Sequence, residues 1–112
     1  MAVMRALLAA GAAVDRADND GFTALYAAVE KGQVEAIRVL LAAGAEVDHA
    51  CNDCTALHAA AQDGYVEAIR VLVEAGANIN RADSAGQTPL AAARAYDHAA
   101  AAQALVQAGA TE

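Results

Sequence analysis

The chain has 112 residues, 58% of them apolar, and a formal net charge of −7, which is ample material for one folded unit and argues against a nucleic-acid backbone as its main partner. The acidity weakly favours a basic or mixed-charge protein surface, with plain solubility as the other reading. Two cysteines are too few to staple a secreted scaffold, no apolar run approaches a membrane span, and no charged-then-apolar leader precedes a cleavage site, so the expectation is a soluble cytoplasmic protein without membrane contact.

Met1 to Ala10 places Val3, Met4, Leu7 and Leu8 at helical spacing and aligns with Ala36 to Ala43 further on. Gly11 then matches Gly44 and Gly76, positions where a helix ends in a left-handed residue that glycine adopts without a side-chain clash. From Ala12 to Phe22, the residues Asp15, Asp18, Asn19, Asp20 and Gly21 supply turn chemistry. Thr23 is a helix cap, its hydroxyl accepting from a free backbone N–H, and the pattern predicts a first helix to about Lys31 and a second from about Gln33 to Ala43, with Gly32 between them. In the second helix Val34, Ile37, Leu40 and Leu41 form an apolar stripe, while Glu35 and Arg38 lie off it in solvent.

The same order returns with Thr55, the stripe Val66, Ile69, Leu72 and Val73, and Gly76, and again with Thr88, Leu105 and Gly109. The threonines are 32 and then 33 residues apart, a period that signals a stacked array in place of a single globular core. Pro89 follows Thr88 where a missing N–H costs nothing. The tip His49-Ala50-Cys51-Asn52-Asp53-Cys54 departs from its neighbours, lacking one residue before the threonine. In the last copy Asp97 stands at the inter-helix glycine position, Ala99 to Ala102 thin the final helix, and Gln103 and Gln107 suit a terminal face.

These residues resemble the ankyrin repeat, whose pattern runs Gly-x-Thr-Pro-Leu-His-x-Ala-Ala, then a glycine, then Leu-Leu-x-x-Gly-Ala. The closest agreement is Thr55-Ala56-Leu57-His58-Ala59-Ala60, Gly64 and Leu72-Val73-Glu74-Ala75-Gly76-Ala77. The resemblance implies an all-α solenoid of helix-turn-helix units joined by β-turn or hairpin tips. It divides into a half repeat at 1–17 and repeats at 18–50, 51–82 and 83–112. It also implies binding of another protein through a concave surface of hairpin tips and first helices. Carried over position by position, the partner-binding residues are Asn19, Asp20, Phe22, Glu30, Lys31, Asn52, Asp53, Gln62, Asp63, Ser84, Gln87, Ala95 and Tyr96. Phe22, the only phenylalanine, is the strongest anchor among them, with packing over the adjacent tip as its other reading.

No catalytic set is visible: the one serine, Ser84, lies in a turn, and neither a phosphate loop nor a nucleophile motif occurs. No cofactor is expected. His58 occupies the position of the family's histidine, whose implied role is hydrogen bonding between turns, and Tyr26 and Ala91 replace it in the other copies. His49, Cys51, Cys54 and His58 have ligand chemistry suited to zinc within ten residues of one turn, against which stand simple packing and a labile Cys51–Cys54 disulfide. Two functional alternatives accompany a protein-recognition module: a regulatory or targeting segment of a larger enzyme or effector, which the half-repeat start would suit, and a metal- or redox-responsive interaction module. Val3, Met4, Leu7 and Leu8, lacking a preceding repeat, are further expected to expose apolar area and to favour self-association through the N-terminal end.

Overall fold

The structure is a computed structural model that describes residues 23–50 and 54–110. Among them are six helices in three antiparallel pairs: α1 (Ala24–Glu30) with α2 (Val34–Ala42), α3 (Ala56–Asp63) with α4 (Val66–Glu74), and α5 (Pro89–Ala95) with α6 (Ala99–Gln107). The N-terminal half repeat, and with it the exposure expected of Val3, Met4, Leu7 and Leu8, lies outside the described residues. Each helix has only 7 to 9 residues, below the roughly 12–15 at which an isolated helix becomes marginal in water. The helices therefore persist through packing and through well-satisfied ends.

The starts of the first helices are set by three threonines. Thr23, Thr55 and Thr88 have extended backbones, and their side chains accept from the N–H groups of Tyr26, His58 and Ala91. All six ends use one device, in which a left-handed residue turns its N–H back onto the helix while the following N–H reaches the carbonyl one residue deeper. At the end of α3 the Gly64 N–H donates to Ala61 O at 3.3 Å and the Tyr65 N–H to Ala60 O at 2.9 Å. At the end of α4 the Gly76 N–H donates to Val73 O at 3.0 Å and the Ala77 N–H to Leu72 O at 3.1 Å. At the end of α5 a non-glycine residue does the same work, for Asp97 has φ of 60° and its N–H donates to Arg94 O at 3.1 Å.

The pairs stack in register. The apolar stripes expected of the second helices are the core on that side: Ile37, Leu40, Ile69, Leu72 and Leu105 are each at most 2% exposed, with Val34, Leu41, Val66 and Val73 packed partly buried around them. On the other side the core is mostly alanine, including Ala28, Ala56, Ala59, Ala60, Ala61, Ala92 and Ala93, together with Leu25, Val29, Leu57 and Leu90. Because alanine keeps neighbouring helices close, α1, α3 and α5 pack more intimately on one another than α2, α4 and α6 do. The stack is pinched along its first helices, which makes that side concave. The third pair changes character on its outward face: Arg94 is exposed at the position where Val29 and Ala61 are fully buried, and Ala102 replaces Ile37 and Ile69.

Two stability outcomes follow from the helix ends. A Cβ added at Gly64 would stand 2.6 Å from His98 Nδ1 as well as forcing a side chain into φ of 73°, whereas a Cβ at Gly76, φ 96°, would meet nothing within 4 Å. Gly64→Ala is therefore expected to lower stability by about 2 kcal/mol or more and Gly76→Ala by about 1 kcal/mol, the left-handed strain common to both. Urea unfolding of the two variants measures the difference, and equal losses would show that the ring contact is immaterial. Asp97→Gly, conversely, relieves strain at an exposed site and removes a carboxylate from a helix C-terminus, so it is expected to raise stability by up to about 1 kcal/mol. A lower midpoint for Asp97→Gly would mean that the aspartate side chain holds the turn in some other way.

Candidate functional site

The most elaborate polar site in the described stack is built on His58, which is 2% exposed. The Thr55 N–H donates to His58 Nδ1 at 3.3 Å, and the Thr55 hydroxyl lies 2.9 Å from the same nitrogen while accepting from the His58 N–H at 3.4 Å. Histidine thus completes a reciprocal cap usually made by glutamate or glutamine. Since Nδ1 accepts the Thr55 N–H, the network assigns the ring proton to Nε2, which donates to the backbone carbonyl of Gln87 at 3.0 Å. One side chain fixes the start of its own helix and holds the tip of the next pair. Both ring nitrogens are engaged in this way, so ligating a cation through His58 would require one of those bonds to be given up.

Tyr26 occupies the same register one repeat earlier, and its hydroxyl lies 3.4 Å from Cys54 Sγ, directly before Thr55, just as Gln87 directly precedes Thr88. The cross-repeat rung thus survives the replacement of histidine by tyrosine. A second set of rungs was not visible in the spacing. Tyr65 and His98, each following an inter-helix turn, lie against Gly32 and Gly64 of the preceding pair, and the Tyr65 hydroxyl donates to the Glu30 carbonyl at 3.4 Å. Between the last two tips, Asp48 accepts the Asn78 N–H at 2.9 Å through its carboxylate and Arg81 Nη1 at 3.0 Å through its carbonyl. The third tip is closed by Asp83, whose carboxylate accepts the N–H groups of Ala85 and Gln87, each at 2.9 Å, while its own N–H donates to Gln87 O at 2.8 Å.

These demands sort the expected partner-binding residues. Glu30 and Lys31, Gln62 and Asp63, and Ala95 and Tyr96 are all exposed and occupy the same two positions at the ends of α1, α3 and α5, forming a ridge along the stack. Tyr96 is 53% exposed, the most open large apolar side chain among the described residues. Ser84 is exposed at the third tip, whereas Gln87 is half-buried with its backbone committed to His58 and Asp83. Asn19, Asp20, Phe22, Asn52 and Asp53 lie outside the described residues. In the middle pair the first-helix face is buried from 56 to 61, and only Gln62 and Asp63, the two positions of α3 that the resemblance named, are accessible. Alanine at positions 59 to 61 draws the neighbouring helices over it.

For the zinc reading, Cys51 lies outside the described residues, as does any bond between Cys51 and Cys54; Cys54 itself is half-buried, its sulfur beside the Tyr26 hydroxyl. Among the described residues no three histidine, cysteine, aspartate or glutamate side chains are grouped so as to hold a metal ion. No helix among them is long and apolar enough to cross a membrane.

Removing the histidine rung has a calculable cost. His58→Ala leaves the Thr55 N–H without a partner in a buried site, at about 1–3 kcal/mol for a stranded polar group, cuts the Gln87 carbonyl back to its bond from the Asp83 N–H, and opens a cavity besides. Its unfolding midpoint is expected to fall by more than that of Arg70→Ala, whose exposed contact with Glu67 at 3.1 Å contributes little; denaturant titration checks the order, and similar losses would remove His58 from its bridging role.

The comparisons with known proteins agree with this architecture. A family model described as ankyrin repeats in three copies matches residues 1–51 and 47–111, while a search of curated proteins found no match. Repeats of this family generally serve as protein–protein interaction modules. The three matched copies, with capped first helices and left-handed helix ends repeated along the stack and a histidine bridging two successive tips, show that the chain belongs to the ankyrin-repeat family.

Proposed function

We propose that the protein is a non-catalytic recognition module of the cytoplasm, and that it captures a partner protein along the ridge formed by Glu30 and Lys31, Gln62 and Asp63, and Ala95 and Tyr96. The observation that carries this reading is the repetition of accessible residues at the same two positions of three successive first helices, while the rest of the concave face of α3 is closed. The stack needs none of these side chains for its core. Their types change from one level to the next, as they would if each level met a different part of a partner.

The electrostatics favour a basic or mixed-charge surface on that partner. The ridge lies at the carbonyl ends of three stacked helices, the negative poles of their dipoles, and Glu30, Asp63 and Asp97 add carboxylates there, where they disfavour their own helices. Lys31 offsets this at the first level and Arg94, in the last turn of α5, at the third, so the row is mixed in charge with its acidic excess at the middle level. Tyr96 offers the aromatic surface that recognition sites favour. The outer helices pair opposite signs, Glu35 with Arg38 and Glu67 with Arg70, three residues apart on exposed faces. Phe22, Asn19, Asp20, Asn52 and Asp53, which the repeat pattern assigns to the tips, belong to the same proposed surface.

Affinity capture followed by mass spectrometry identifies the partner, and three proteins compared against it test the surface. The variant Asp63→Lys with Tyr96→Ala is expected to weaken binding at least about tenfold, or roughly 1.4 kcal/mol, with its melting temperature nearly unchanged because both sites are exposed. A variant of the outer face, Glu35→Lys with Arg38→Glu, is expected to bind like the parent chain. Loss of binding in the outer-face variant alone would transfer recognition to the convex side.

A further inference from the structure

We draw no further inference here: the strongest candidate, the open depression lined by Gly86, Leu90, Ala91, Arg94 and Ala95 on the outward face of α5, is an unpartnered helix face and nothing in the structure shows what covers it.

Discussion

Helices of two turns can lie antiparallel within about ten residues only if the chain reverses at once after the first, and everything else in this stack depends on that reversal. A left-handed residue achieves it by sending two successive N–H groups back to the carbonyls that the helix leaves unpaired. The same geometry brings the reversal close to the next pair: the ring of Tyr65 lies against Gly32 and that of His98 against Gly64. Glycine is needed at these two places for two separate reasons, backbone conformation and the space taken by the ring. Asp97 faces only the first of them. It is exposed, so a side chain there costs local strain and no collision, which explains how aspartate stands in a position that elsewhere admits only glycine.

Neighbouring pairs are then joined at two heights by different chemistry. Near the tips, His58 and Tyr26 reach forward to the residue preceding the next threonine; at the opposite ends of the same helices, Tyr65 and His98 reach backward onto the turn before. Between these rungs the contact is almost entirely aliphatic, and it is close because alanine lines it. The histidine rung is the stronger of the forward pair, since it engages two nitrogens with two backbone groups, whereas the tyrosine hydroxyl meets a sulfur, a weak partner.

Much of this was legible in the sequence because it is local. A threonine cap and a glycine stop act within their own turn, so α1 was expected to end near Lys31 and ends at Glu30, and the stripe Ile37 and Leu40 is buried as its spacing required. The role of His58 followed from the family pattern, not from spacing, and the geometry bears it out. What spacing could not give was the distance between repeats. Whether the face of α3 is open depends on how near α1 and α5 approach, a property of alanines on three helices at once, and the rings over Gly32 and Gly64 depend on the same approach. One signal was available: the aromatic or imidazole residue directly after the inter-helix turn in two consecutive repeats, Tyr65 and His98, is too regular to be incidental surface.

The structural roles also decide which surface is free to vary. Threonine, histidine, the turn residue, the ring that follows it and the alanines of the first helices are each tied to a contact that a change would break. The two residues before the turn are tied to none of these: they lie past the last buried turn of the helix and ahead of the left-handed residue, projecting where no neighbour comes. Stacking repeats this freedom at each level, and close packing on the alanine side brings the levels near enough for one partner to span several of them. The same alanines that close the middle of the concave face therefore assemble the row at its edge, so the specificity proposed for this chain resides in residues that its stability does not constrain.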